Sequence, residues 1–148
     1  MTATFEIRQR TSGEEPSRKE CEQVGVMRLQ VRECLSAVGL DDVADDAELV
    51  VSEMVTNALV HSGGRKGTLS LSLRDDRPPR RGPVARYLRI DVYDGVPNYR
   101  PACRAAGNTD ECGRGLVLVN AIADDRHGAW GISDHGATTW CELRLAAS

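Results

Sequence analysis

Two segments with alternating apolar residues constrain the fold of this 148-residue chain more than any other feature. In TLSLSLR (68–74) leucine alternates with polar residues, and in RYLRIDVY (86–93) apolar residues alternate with polar ones. A period of two predicts strands with one buried face, because successive side chains of a strand point to opposite faces of the sheet. Further strands are predicted at residues 2–8, 130–134 and 138–145, and the last two form a hairpin around His135-Gly136.

Three other segments carry apolar residues at helical spacing. The first helix is predicted over 17–38, where Ser17 begins it and Glu20 is its capping-box partner. A glycine follows this helix and is a plausible stop. A second helix is predicted over 41–61, and a third, mostly buried, over GRGLVLVNAIAD (113–124).

The predicted elements follow the order β, α, α, β, β, loop, α, β, β. The charged, proline-rich residues 75–84 predict one loop, and 94–112 predict a second, long loop of the kind that often forms a lid. Because strands and helices do not simply alternate, we expect an α+β fold: a two-layer α/β sandwich with a mixed, mostly antiparallel sheet and helices packed on one face. The length suits a single domain over residues 1–148.

Composition excludes several classes of protein. A net charge of -3 argues against a nucleic-acid partner, since such proteins usually carry a basic surface. No apolar run approaches the ~18 residues of a membrane span, and the first twenty residues lack a signal-peptide core, so a cytoplasmic protein is expected. Five cysteines without C-x-x-C spacing and three scattered histidines give a zinc site no support.

The second predicted helix carries the first candidate functional residues. Glu53, Asn57 and His61 are spaced four apart, so they form a row along one face, about a turn from each other. The Asn carbonyl oxygen is a hard, neutral ligand suited to Mg²⁺, and a Glu can take a proton or orient a hydroxyl. The alternative is an ordinary polar stripe on an amphipathic helix.

Two glycine-containing segments are further candidates. Asp94-Gly95 follows a predicted strand, where the Asp can accept a hydrogen bond from adenine N6 and the Gly lets a ring approach; the alternative is a plain turn. The segment GRGL (113–116) opens the third helix, where backbone N–H groups can face an anion. Arg114 can reach a terminal phosphate or can equally be a surface arginine.

Taken together and in this order, the motifs resemble the GHKL ATPase superfamily, the Bergerat fold of histidine kinases, gyrase-type enzymes, chaperones and mismatch-repair ATPases. The resemblance covers roughly residues 45–142 and is closest to bacterial anti-sigma factor serine/threonine kinases, particularly their single-domain actinobacterial members. It is carried by SEMVTNALVH (52–61), VYDG (92–95), GRGLVLVNAIAD (113–124) and the G-x-T-x-W pattern at 136–140.

The resemblance implies a role for individual residues. Asn57 holds Mg²⁺, which bridges the ATP phosphates, and Glu53 is the general base that activates a serine hydroxyl or water. Asp94 accepts a hydrogen bond from the adenine amine, and Thr138 supports that contact through water. The glycines of GRGL form the phosphate-facing hinge of the lid. The nucleotide-binding set is Asn57, His61, Asp94, Gly95, Gly113, Arg114, Gly115, Leu116 and Thr138.

The same resemblance implies ATP and Mg²⁺ as cofactors and a regulatory kinase as the function. Its substrate is a serine or threonine on a small anti-sigma antagonist protein, with a sigma factor as a further partner; a homodimer is common among similar kinases. One motif departs from the superfamily, because DGVPN (94–98) lacks the Asp-x-Gly-x-Gly arrangement. Two alternatives therefore stay open: a non-catalytic interaction module of the same fold with weak or no ATP binding, and an unrelated α+β domain.

Overall fold

The computed structural model describes residues 1–8, 15–61, 65–76, 84–96 and 113–146. In chain order its elements are β1 (Thr2–Glu6), α1 (Arg18–Ala37), α2 (Asp41–His61), β2 (Lys66–Asp76), β3 (Ala85–Tyr93), α3 (Gly113–Asp125), β4 (Ala129–Ser133), a short 3-10 turn (Asp134–Gly136) and β5 (Thr138–Arg144). The order of helices and strands predicted from the sequence is confirmed.

The five strands form one sheet in the order β1-β2-β3-β5-β4. Every pair of neighbours is antiparallel, so the part of the chain that is described contains no parallel pair. The helices pack against one face of this sheet. This arrangement confirms the α+β class and the two-layer sandwich with a mostly antiparallel sheet.

The start of α1 follows from a local sequence signal. Ser17 accepts a hydrogen bond from the Glu20 N–H, and the Glu20 carboxylate accepts one from the Ser17 N–H, which completes the capping box. The helix ends before Gly39, whose φ of +75° is a left-handed conformation that glycine adopts without strain. Both ends of this helix are therefore as predicted.

The core lies between the helices and the sheet. Alternate residues of β3, namely Leu88, Ile90 and Val92, are buried, as the period of two requires. On β2 the alternation fails at its far end, where Leu73 is 51% exposed. No helix within the described ranges combines the length and apolarity that crossing a membrane requires.

The strand β2 is longer than its apolar pattern predicts. Asp75 and Asp76, placed by the sequence in a loop, extend the strand and pair with Arg86 and Ala85 of β3. The Arg86 Nε donates to the Asp75 carboxylate at 2.9 Å. This cross-strand ion pair stabilises the extended end of β2. The side chains there are exposed, so an alternation of apolar residues cannot predict this part of the strand. The remainder of the predicted loop, residues 77–83, lies outside the described residues.

On the face of the sheet away from the helices, two arginines converge on one buried carboxylate. Glu142 is only 7% exposed. Arg74 Nε donates to its Oε2 at 2.6 Å, and Arg89 Nη1 donates to its Oε1 at 3.1 Å. Arg89 also lies over the Trp140 ring at 4.6 Å, and Arg74 lies over Tyr87 at 4.9 Å. The network joins β2, β3 and β5 across that face.

Because each oxygen of Glu142 is used, we expect Glu142→Ala to leave two guanidinium groups without their shared acceptor. The free energy of unfolding should fall by roughly 1–3 kcal/mol, the cost of losing hydrogen bonds to a charged group. Urea denaturation followed by circular dichroism measures this. Glu33→Ala is the control, because Glu33 is exposed on α1 and has no ion pair within the described residues; equal effects of the two variants would contradict the role of the network.

Candidate functional site

The candidate residues collect toward one end of the sandwich. At the opposite end, Arg126 follows α3 and donates to the Asp46 carboxylate and to the Asp42 carbonyl, in the first half of α2. From there the chain enters β4, which runs back and finishes beside Thr138, next to the end of β3 at Tyr93. The first turn of α3 and the last turns of α2 therefore lie at the end of the sheet where β3 ends and β5 begins.

Glu53 lies against the backbone of the first turn of α3. A Cβ added to Gly115 would come within 2.5 Å of Glu53 Oε2 and 3.5 Å of its Cδ. The glycine is therefore what allows the carboxylate to occupy this position. A negative charge beside the beginning of a helix is also favoured by the helix dipole. The structure thus brings together two of the predicted site residues from different parts of the chain.

The two halves of α2 differ in how their polar side chains are paired. In the first half, Asp45 and Glu48 pair with Arg32 of α1, and Asp46 pairs with Arg126. In the second half, four partly buried polar residues have no side-chain hydrogen-bond or ion-pair partner in the described ranges: Ser52, Glu53, Thr56 and Asn57. A half-buried carboxylate without a cation, against the backbone of α3, favours a ligand-binding role over the ordinary polar stripe.

Asp94 continues the antiparallel ladder one residue beyond β3. Its N–H donates to the Ala137 carbonyl at 3.0 Å, and its Oδ1 accepts a hydrogen bond from the Val96 N–H at 2.9 Å. The intervening Gly95 has a φ of +74°. The turn therefore orients the Asp94 carboxylate through backbone bonds at both ends, which gives the predicted ligand-reading residue a defined position.

Strand alternation distinguishes Thr138 from its neighbour. Cys141 belongs to the buried core, and Val92 lies opposite Thr139 in the register, so Thr139 lies on the helix-facing side of the sheet together with Asp94. Thr138 is buried but shares the opposite face with Trp140. The sequence motif predicts Thr138, and the register adds Thr139 as a further candidate on the same face as Asp94. The alternation of buried residues later in β5 carries that signal in the sequence.

The remaining predicted residues are placed as follows. Leu116 is buried in the core, where it anchors the start of α3. Gly113 and Arg114 form the first turn of that helix, while the Arg114 side chain lies outside the described part of the structure. His61 is the exposed last residue of α2. The predicted lid, residues 101–112, and most of the long loop that contains it also lie outside the described residues.

The site offers few protein ligands, which suits a metal ion that is coordinated mainly by the bound substrate and water. Within the described ranges, no three His, Cys, Asp or Glu side chains are grouped so as to hold a metal ion. Asn57 offers one neutral oxygen, and Mg²⁺ in such sites takes its other ligands from substrate phosphates and water. Cys141 offers no thiolate, because burial raises the pKa of its thiol to about 12.

Comparison with known families agrees with this geometry. The family model for the histidine kinase-like ATPase domain matches residues 17–141 of the chain. This range includes every predicted site residue and extends from the cap of α1 into β5. No curated protein matches the sequence significantly.

The contact between Glu53 and Gly115 predicts the effect of adding one methyl group. In Gly115→Ala, the Glu53 carboxylate should move by about 1 Å, toward an ordinary contact of about 3.5 Å, as a crystal structure of the variant would show. Gly25→Ala is the matched control, because a Cβ there meets nothing within 4 Å. It should stabilise α1 by up to about 1 kcal/mol, and Gly115→Ala should stabilise less. An unmoved carboxylate would contradict the contact.

Proposed function

Because the chain belongs to the family of histidine kinase-like ATPase domains, we propose that it binds ATP with Mg²⁺ at the end of the sandwich described above. The observation that carries the proposal is the half-buried Glu53 carboxylate, which has no ion-pair partner in the described ranges and lies against the first turn of α3, with Asn57 one turn further along the same helix. Family membership supports an ATP-binding regulatory function in general. The residue roles and the kinase activity below are finer proposals.

The nucleotide would be held by groups of three kinds. The Asp94 carboxylate, oriented by the Val96 N–H, accepts from the adenine amine, with Thr139 on the same face of the sheet and Thr138 behind it. The N–H groups at the beginning of α3 face the phosphates, where the helix dipole favours negative charge. Asn57 supplies a protein oxygen to Mg²⁺, which neutralises phosphate charge when it is bound.

Glu53 is suited to act as the general base. Its carboxylate accepts the proton of a serine or threonine hydroxyl as that oxygen bonds to the γ-phosphorus. The bond between the γ-phosphorus and the bridging oxygen breaks at the same time, and ADP leaves with the bonding electron pair. In such transfers the protein mainly positions the reactants and balances charge, so one base and one Mg²⁺ ligand form a sufficient set.

The proposed substrate is a serine or threonine on a small anti-sigma antagonist protein, and a sigma factor is the proposed target of regulation. The resemblance of SEMVTNALVH (52–61) and GRGLVLVNAIAD (113–124) to anti-sigma factor kinases supports this class. A homodimer is proposed on the same basis. The output of such a kinase would pass through the separate protein that it phosphorylates.

One observation favours a second candidate function. DGVPN (94–98) contains a single glycine where the superfamily has further ones. Val96 and Pro97 restrict the backbone more than glycine does, so a ligand ring has less room to approach. The second candidate is therefore an interaction module of the same fold that binds nucleotide weakly or not at all. Calorimetric titration with Mg-ATP separates the two functions, because absence of heat at millimolar nucleotide would favour the module.

If Asn57 is the protein ligand of Mg²⁺, its removal should weaken nucleotide binding only when the metal is present. We expect Asn57→Ala to raise the Kd for Mg-ATP by about tenfold, the effect of losing one bond to a charged group. In EDTA the variant and the wild type should bind ATP alike. Thr56→Ala, one residue away on α2, should stay within about twofold. A metal-independent loss for Asn57→Ala would remove it from the Mg²⁺ site.

If Glu53 is the base, its carboxylate should matter to transfer far more than to binding. We expect Glu53→Gln to lower the rate of γ-phosphate transfer to the cognate antagonist by about 10²–10⁴-fold, with the Kd for Mg-ATP nearly unchanged. Transfer from labelled ATP and calorimetry measure the two quantities. Glu33→Gln, on the exposed face of α1, should leave both unaltered, and full transfer by Glu53→Gln would exclude it as the base.

A further inference from the structure

A cavity of about 510 Å³ lies between the second half of α3 and β4, at the edge of the sheet remote from β1. Its size is within the range of pockets that bind small molecules. Both tryptophans of the chain line it, although they belong to neighbouring strands. None of its lining residues within the described ranges is among those proposed to hold nucleotide.

The register explains how the two tryptophans reach one cavity from opposite faces of the sheet. Trp130 lies opposite Cys141 of the core, so its side chain is on the helix-facing side. Trp140 lies opposite Gly131 on the other side, and a Cβ added to Gly131 would come within 2.8 Å of Trp140 Cζ2. Because Gly131 has no side chain, the Trp140 ring lies across β4 and forms part of the cavity wall.

A hydrogen bond orients the Trp130 ring close to a carboxylate that has no cation. Trp130 Nε1 donates to Asn120 Oδ1 at 2.8 Å. Asp124 follows Asn120 by one turn of α3, so the Cβ atoms of these two residues are about 6 Å apart, and both line the cavity. Asp124 is exposed and forms no ion pair within the described residues. The indole and the carboxylate are therefore within reach of one small ligand.

The end of α3 carries charges of the unfavourable sign. Asp124 and Asp125 occupy its last turn, which contains no basic residue. Carboxylates there oppose the helix dipole, which favours cations at this end. Arg126, the next residue, donates to Asp46 of α2 instead. Natural proteins break such local rules mainly at functional sites, and a cation bound beside Asp124 would remove the conflict.

An arginine of the same molecule shows which cation suits a ring beside a carboxylate. Arg89 lies over the Trp140 ring at 4.6 Å, and its Nε donates to Asp91 at 3.1 Å. A planar guanidinium can stack on a ring and bond to a carboxylate at the same time, which a compact ammonium group does less well. Trp130 and Asp124 repeat this combination, but no Lys or Arg among the described residues lines their cavity.

We propose that this cavity binds a guanidinium group from outside the chain, which stacks on the Trp130 indole and donates to the Asp124 carboxylate. Asn120 contributes by holding the ring, and Trp140 forms a further wall. A free small molecule and an arginine side chain of another protein present the same planar cation, so the shared chemistry defines the site. The site goes beyond the proposed nucleotide function and does not depend on it.

The probes are N-acetyl-arginine amide and its neutral isostere N-acetyl-citrulline amide, titrated into the full chain and followed by the NMR signals of the indole N–H groups. We expect saturable binding of the arginine probe with a Kd in the millimolar range. The citrulline probe should bind about tenfold more weakly, because it has the same shape without the charge. Equal binding of the two probes, or no saturable binding at tens of millimolar, would overturn the proposal.

Variants of the chain test the carboxylate and the ring separately. Asp124→Asn should weaken binding of the arginine probe by about fivefold. Asp125→Asn is the matched control and should bind within about twofold, because Asp125 is exposed in the same turn but does not line the cavity. Both changes remove a charge from the negative end of α3, so neither should unfold the chain. Trp130→Leu should weaken binding by about threefold and Trp130→Phe by less. Equal effects of the two aspartate variants would contradict the site.

Two further measurements identify the source of the guanidinium group. Binding of methylguanidinium with similar affinity would assign the site to a free small molecule, and binding of N-acetyl-arginine amide alone would assign it to an arginine within another protein. In sedimentation equilibrium, a dimer that Asp124→Asn dissociates would place an arginine of a second copy in the cavity and overturn the proposal of a group from outside. Mg-ATP titration of Asp124→Asn, expected to match the wild type, keeps these outcomes independent of the proposed nucleotide function.

Discussion

The burial of α2 against the sheet is the constraint on which the arrangement of the site depends. Nine apolar side chains of this helix are buried, and at roughly 1.5–3 kcal/mol for each large one they fix its rotation about its axis. Rotation by one residue would bury polar groups and expose valines. With that rotation fixed, Glu53 and Asn57 lie partly buried at the margin of the apolar face, and Glu53 contacts the first turn of α3.

The second constraint is the position of α3, which is defined near both ends. Near its beginning, Gly115 allows the backbone to approach Glu53 more closely than any side chain would permit. Just beyond its end, Arg126 bonds to Asp46 and Asp42. Both contacts are made to α2. They hold α3, whose first turn would face the phosphates, as one unit with the helix that carries the proposed base and the proposed Mg²⁺ ligand.

Much of this fold follows from short-range sequence patterns, and the exceptions have a common cause. The capping box, the alternation in β3 and the ends of α1 depend on residues within a few positions of each other. By contrast, the extension of β2, the burial of Glu142 and the pairing of Gln23 with Glu6 require partners from distant parts of the chain. For the site, spacing predicts Glu53 and Asn57 as candidates, but only the register shows that Thr139 shares a face with Asp94.

The first helix is tied to the helix that carries the candidate site. Arg32 of α1 pairs with Asp45 and Glu48 of α2, and Glu48 lies just over one turn before Glu53. Because the core between these helices is close-packed and transmits small displacements, a shift of α1 would also shift the part of α2 that carries the proposed base.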